Sequence, residues 1–191
     1  MNFIYENNTS LCEELCNEII DLYNKEYEKQ TLSGIIKNTN DLIIPINDEK
    51  WNKIANCLYK ELHKNILKYI EKINCSEFNG KHTNIFKKSN LEAYNFTIQK
   101  YETNKDECES QCENVYHNDF HCEKEKYRVI TILWYLNDVE DGETQFWDSY
   151  KIKPKTGKLI MFPSYWTHQY QNLMPKSSKY IIKNWLHLKT F

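Results

Sequence analysis

Apolar positions in the first third of the chain recur at helical spacing. Leu11, Leu15, Ile19, Leu22 or Tyr23, and Tyr27 fall on one face of a 3.6-residue period. Ser10, with Glu13 three residues on, reads as a capping box at the start of that helix, and a loop at Ser33 and Gly34 closes it. Pro45 precedes a second start at Asn47 or Asp48. From there Trp51, Ile54, Leu58, Leu62, Ile66, Tyr69, Ile70 and Ile73 form a longer apolar stripe. Two helices are expected, each covering one face of a sheet.

From about Leu91 the period shortens to two. Tyr94, Phe96 and Ile98 alternate with Thr97, Gln99 and Tyr101. The first set suits a core beneath the helices, and the second is polar for a buried strand. Residues 127–137 form a long β-branched and aromatic run, a central strand by content. Residues 159–162 and 180–188 supply further strands, punctuated by Pro154, Gly157 and Pro163. Helices followed by a run of strands predict an α+β class whose strands close as a jelly-roll-like barrel. With no repeat and no linker, a single domain spans 1–191, with 1–90 as mainly helical support and 91–188 as the β-barrel core.

Composition narrows the class. The chain has 191 residues, 40% hydrophobic and 14% aromatic, enough to pack one core. A net charge of −2 with scattered lysines gives no basic stripe, so nucleic-acid binding is not expected. Lysines 151, 153, 155 and 158 read as a solvated loop or edge guard. No run reaches the roughly 18–20 apolar residues of a membrane span, and the first ten residues lack the pattern of a signal peptide. Seven cysteines, an odd number, read as reduced thiols in a cytosol-like compartment.

The candidate chemistry lies in His117, Asn118 and Asp119, then His168, then Lys179 eleven positions later. On a strand His117 and Asp119 would share a face, and the turn at Pro163 can fold His168 back toward them. Two imidazoles and one carboxylate on one side of a metal leave the other side open, which suits ferrous iron in an oxygenase. Lys179, Ile181, Lys183 and Trp185 share one face of the last strand, as Thr131 and Tyr135 share one face of the central strand. A pocket with imidazoles, a carboxylate, a lysine and tyrosine hydroxyls suits a metal plus a dicarboxylate. A surface His–Asp pair is the plainer reading of His117 and Asp119. His121 is a rival ligand, while His63, His82 and His187 read as ordinary residues. Cys108, Cys112, His121 and Cys122 have zinc-ligand chemistry without the paired spacing of a structural site. Cys12 and Cys16, one helical turn apart, read as small core residues.

The segments YHNDF, ITILWYLNDVEDGETQF, KPKTGKLIMFPSYWTHQ and SSKYIIKNWLH, in that order, resemble the iron- and 2-oxoglutarate-dependent oxygenase superfamily. The chain is most similar to its prolyl 4-hydroxylase-like branch, over about Tyr94 to Leu188. The resemblance implies a double-stranded β-helix core with N-terminal helices packed on one sheet. It implies a dioxygenase that hydroxylates a C–H bond using Fe(II), 2-oxoglutarate and O2, with ascorbate as a candidate reductant. Carried over by position, His117, Asp119 and His168 match the iron ligands. Lys179 matches the base that pairs with the distal carboxylate of 2-oxoglutarate, and Tyr135 a tyrosine that shares it. Tyr101 aligns with a tyrosine near cosubstrate and iron, and Trp185 with a tryptophan of the last strand; Thr131, on the face of Tyr135, joins the cofactor-binding set. Two positions depart from the pattern. Asp141 replaces the first of two glycines before Glu143 and Thr144, and Lys183, followed by Asn184, stands where some relatives carry Asn.

The branch points to a prolyl peptide as substrate. A free amino acid or small metabolite is the alternative, and a non-catalytic cupin-like binding protein is the reading from another class. A nucleobase demethylase would need a nucleic-acid-binding face and a second arginine in the last strand, and neither is present. Residues 102–116 form a long excursion where selectivity is expected, and Lys183 is placed to help hold the cosubstrate or touch a substrate.

Overall fold

Two α-helices and eleven strands make up the described chain. The computed structural model describes residues 3–32, 41–45, 47–74, 90–103, 115–123 and 126–189. The helices are α1 (Glu13–Leu32) and α2 (Glu49–Asn74). The strands are β1 (Tyr5–Asn7), β2 (Asp41–Ile43), β3 (Leu91–Ala93), β4 (Thr97–Tyr101), β5 (Cys122–Glu123), β6 (Lys126–Tyr135), β7 (Thr144–Phe146), β8 (Lys151–Ile152), β9 (Leu159–Pro163), β10 (Tyr170–Asn172) and β11 (Lys179–Lys189). The larger sheet runs β1-β9-β6-β11-β4-β2, with β3 also on β11 and β5 on β6. The smaller sheet is β10-β7-β8, and the pairings in both sheets are antiparallel.

Period-two alternation sorts the large sheet into two cores. Ile130, Ile132 and Trp134 of β6, Ile182 and Leu186 of β11, and Leu159 and Met161 of β9 join the helices' apolar faces in one cluster. Leu133 and Tyr135 of β6, Ile181 of β11, and Ile160 and Phe162 of β9 face the other way, against Phe146, Ile152 and Tyr170 of the small sheet. The helices thus cover one face and the small sheet covers the other. This explains the long β-branched and aromatic run of β6: from Val129 to Tyr135 both of its faces are buried.

The α2 stripe packs as its spacing predicts, with Trp51, Ile54, Leu58, Leu62, Ile66, Tyr69 and Ile73 all buried. Asp48 caps this helix, its Oδ1 accepting from the backbone N–H of Lys50 at 2.9 Å and of Trp51 at 3.1 Å. The capping box at Ser10 does not form. The first helical bond closes from Cys16 N–H to Cys12 O, so α1 starts later. The buried Ser10 hydroxyl instead accepts from Trp134 Nε1 at 3.0 Å and Asn65 Nδ2 at 3.2 Å, tying the N-terminal segment to β6 and α2. Of the cysteine pair on α1 only Cys16 is core; Cys12 is exposed, and both are free thiols, as are Cys57 and Cys122. The loop expected at Ser33 and Gly34, as well as His82, Cys108 and Cys112, lies outside the described residues. Among the described residues no helix is long and apolar enough to cross a membrane.

Gly157 locks the N-terminus to the sheet. Its carbonyl accepts from the backbone N–H of Ser10 and Leu11, and its own N–H donates to Tyr135 O. Its φ is +74°, and a Cβ there would lie 2.0 Å from the carbonyl oxygen of Leu11. Gly157→Ala therefore meets both a left-handed backbone and a backbone clash. We expect a loss of about 1–3 kcal/mol in urea unfolding; unchanged stability would mean that this junction carries no load.

Candidate active site

Asp119 is the buried charge on the inner face of the large sheet. Its Oδ2 accepts from Thr131 Oγ1 of β6 at 2.8 Å and from the Tyr170 hydroxyl of β10 at 2.9 Å. Lys183 of β11 stands 3.1 Å from Oδ1, with the two side chains 8% and 7% exposed. Burial alone would raise the carboxyl pKa; the Lys183 charge and the hydrogen bonds from Thr131, Lys183 and Tyr170 outweigh it and hold Asp119 below the usual carboxylate range. Thr131, which also shares a 2.9 Å hydrogen bond with Ser164, is thus committed to this carboxylate.

The His117–Asp119 pair is not part of a strand. His117 forms a single two-bond bridge with Tyr170 (3.0 and 2.9 Å), and Asn118 Oδ1 accepts from Phe120 N–H to tighten the turn around Asp119. The His117 and Tyr170 rings lie 4.4 Å apart between centroids. His168 is buried at the end of a 3-10 turn, Trp166–His168, that follows β9. Nδ1 of His117 engages Val115 O at 3.1 Å, and Nδ1 of His168 engages the Thr167 hydroxyl at 2.9 Å. Such contacts fix the tautomer and the orientation of metal-binding imidazoles.

Tyr170 is the hub: it bonds Asp119, bridges His117, and follows His168 by two residues. Even so, no group of three His, Cys, Asp or Glu side chains among the described residues is arranged to hold a metal ion. The donor chemistry nevertheless fits a cation, because the buried carboxylate is already neutralised by one, the Lys183 ammonium.

A second polar cluster is buried among apolar side chains. Lys179 is fully buried; its Nζ donates to Gly142 O at 2.9 Å, reaches Asn172 Oδ1 at 3.5 Å, and sits 4.5 Å above the Tyr101 ring. Burial pulls its pKa down to about 7, partly offset by Glu143. The buried Tyr135 hydroxyl donates to Thr144 Oγ1 at 2.7 Å, and Thr144 donates to Asn172 Oδ1 at 3.1 Å. Asn172 Nδ2 donates to the Tyr101 hydroxyl at 3.3 Å. Lys179, Tyr135 and Tyr101 thus share one hydrogen-bonded and cation–π cluster. Thr144, Tyr170 and Asn172 were missed in the sequence. The last two were legible there, since a period-two reading onward from His168 puts both on its face.

The glycine departure has a local explanation. Asp141 takes φ +62° and Gly142 φ +69°, and Asp is among the few non-glycine residues that tolerate this region. Lys176 holds the Asp141 carboxylate at 2.9 Å. A Cβ at Gly142 would approach Pro175 to 2.8 Å, so the glycine that presents its carbonyl to Lys179 is the one retained.

Around this centre the surface is aromatic. Val115 (74% exposed), Phe120 (41%) and Trp166 (74%) lie within two residues of His117, Asp119 and His168, and Trp147 (58%) donates to Thr167 O at 3.1 Å. Beyond Trp185 is a pocket of about 380 Å³ whose lining includes His121, Lys126, Arg128, Trp185 and His187. The Arg128 guanidinium stacks 3.9 Å above the Trp185 ring. The Arg128 Nε and Trp185 Nε1 donors are buried with no hydrogen-bond partner among the described residues.

Comparison with known proteins bears on the fold. No curated protein sequence matches the chain. Among solved structures, the viral collagen prolyl hydroxylase of Paramecium Bursaria Chlorella virus-1, in complex with 2-oxoglutarate, superposes with a TM-score of 0.70 at 18% identity, over 99% of this chain and 97% of that one. A Trichoplax adhaerens prolyl hydroxylase in complex with a hypoxia inducible factor peptide fragment gives 0.63 at 17% identity, over 97% and 84%. A Pseudomonas putida prolyl-4-hydroxylase gives 0.59 at 15%, over 98% and 93%. At these identities the likeness establishes the fold. Residues 96–187, which hold His117, Asp119, His168 and both inward lysines, match the family model described as 2OG-Fe(II) oxygenase superfamily.

Proposed function

We propose that this dioxygenase hydroxylates prolyl residues in peptides, using His117, Asp119 and His168 to hold Fe(II) and Lys179 with Tyr135 to hold 2-oxoglutarate. One domain does this: a double-stranded β-helix built from 91–188, braced by the helical part. Bound iron and 2-oxoglutarate supply the oxidation, in which O2 converts 2-oxoglutarate to succinate and carbon dioxide while a substrate C–H becomes C–OH. The chain's own residues hold, orient and exclude water. The Lys179 ammonium offers a charge-assisted contact to a carboxylate, and Tyr135 and Tyr101 offer hydroxyls in the same buried cluster. The four free thiols among the described residues fit a reducing compartment.

The observation that carries the peptide reading is the aromatic rim. Phe120, Trp147 and Trp166 expose aromatic surface, Phe120 beside Asp119 and Trp166 two residues from His168 in the chain, and proline-rich segments dock on aromatic-lined surfaces. The unpartnered Arg128 and Trp185 donors beside it suit the carbonyl oxygens of a peptide backbone. The solved relatives named for prolyl hydroxylation support the same choice. With a proline-rich peptide, succinate formation should rise and mass spectrometry should find one added oxygen on proline. Stimulation by free amino acids and by no peptide would sink the peptide reading.

Anaerobic protein titrated with Fe(II) and 2-oxoglutarate should develop a visible metal-to-ligand charge-transfer band. His168→Ala should abolish it and Lys179→Ala weaken it. A folded, iron-loaded protein without a band would contradict the ligand assignment.

Lys179 should also make cosubstrate binding pH-dependent. With a pKa near 7 it loses its charge as pH rises through neutrality, whereas a bound carboxylate favours the protonated form. Binding above about pH 7 should therefore take up a proton, with affinity falling by up to about tenfold per pH unit. Calorimetry in buffers of different ionisation enthalpy measures the uptake. Uptake that persists unchanged in Lys179→Met would remove Lys179 from the cosubstrate site.

A further inference from the structure

Lys183 has no assigned task in the proposed chemistry, yet it occupies the position that matters most. Its ammonium is the cation on Asp119 Oδ1 at 3.1 Å, and both side chains are almost completely buried. The other oxygen, Oδ2, is fixed by the Thr131 and Tyr170 hydroxyls. A metal bound through Asp119 without breaking those two bonds must use Oδ1, where the lysine sits. Two cations on that one oxygen repel each other and compete for its lone pairs. The backbone cannot relieve the conflict, because Lys183 lies mid-strand, in register with Thr97 on one side and Leu133 on the other.

We infer that Lys183 is an internal competitor of the metal: its ammonium neutralises Asp119 in the metal-free protein and must leave when a divalent cation binds. Lys183 thereby lowers metal affinity below what two imidazoles and a carboxylate would give alone. The inference rests on the reading of Asp119 as a metal ligand. Departure of the lysine does not strand a naked charge. Its Nζ is already 5.3 Å from the Trp185 ring centroid and 5.6 Å from that of Tyr170, within reach of cation–π contact. A side-chain rotation between carboxylate and aromatic faces is enough. The lysine then has two seats, and metal concentration selects between them.

The competition explains why the three ligands are not gathered in advance. The same ion pair offsets the cost of burying Asp119 without metal, since a buried carboxylate with no counter-cation is strongly destabilising. Lys183 is a positioning residue for the ligand set, acting through Asp119.

The test is calorimetric titration of the full chain with Mn(II) alone, comparing wild type with Lys183→Met, Lys183→Gln, Lys183→Arg and His168→Ala. Removing the charge in the Met and Gln variants should tighten Mn(II) binding about tenfold or more, while Lys183→Arg keeps the charge and stays close to wild type. The Met variant should also melt lower than wild type without metal and recover when Mn(II) is added. Should Lys183→Met be unstable, Lys183→Gln carries the comparison, since it retains a donor for Asp119. Equal or weaker Mn(II) binding by a folded neutral variant, with binding abolished in His168→Ala, would overturn the competitor role and leave the ligand reading intact. Mn(II) binding untouched by His168→Ala would overturn both.

Discussion

A carboxylate buried beneath a sheet is tolerable only if something neutralises it, and the inner face of this protein is organised around doing so for Asp119. Desolvating an ion costs several kcal/mol before compensation. Compensation comes from three strands of two sheets: Thr131 from β6, Lys183 from β11 and Tyr170 from β10. The carboxylate therefore ties the small sheet to the large one. His117 is bridged to Tyr170, and His168 precedes Tyr170 by two residues, so both histidines neighbour this strand. Without that charge and its partners the polar groups between the sheets would have no common centre.

One strand sets the spacing of the rest. On β11 the inward positions alternate Lys179, Ile181, Lys183 and Trp185, so two buried cations stand four residues apart with an apolar side chain between them. Lys179 is fully buried beside Tyr101, Tyr135, Thr144 and Asn172, and burial pulls its pKa down to about 7. Lys183 is engaged by Asp119. Period-two geometry places Lys179, Ile181, Lys183 and Trp185 of a short sequence, Lys-Tyr-Ile-Ile-Lys-Asn-Trp, in linear order on one face of the sheet. The opposite parity, Tyr180, Ile182 and Leu186, faces the helices.

Much of this was legible in the chain. The α2 stripe, the double-sided burial of 127–137 and the polar inner face of Thr97, Gln99 and Tyr101 all follow from residue spacing, because helix and strand periods are properties of the backbone. The residues of the candidate site were found through motif order and strand parity. What escaped depends on tertiary partners. Ser10 looks like a cap, but its hydroxyl is claimed by Trp134, far along the chain. Residues 117–119 alternate as a strand would, yet a single bridge and an Asx turn hold them, since only Tyr170 is available to pair. The short strands β1, β2, β7, β8 and β10, two or three residues each, carry too few positions for any period to register. The partner of Lys183 was invisible because charge pairing across sheets leaves no periodic trace.

A crystal structure of the protein grown anaerobically with Mn(II) and 2-oxoglutarate tests the central claim most directly. It should show the metal bound by His117, Asp119 and His168, the distal carboxylate of 2-oxoglutarate on Lys179 and Tyr135, and the Lys183 ammonium moved off Asp119 toward Trp185 or Tyr170. A metal bound elsewhere, or the cosubstrate carboxylate bound away from Lys179, would contradict it.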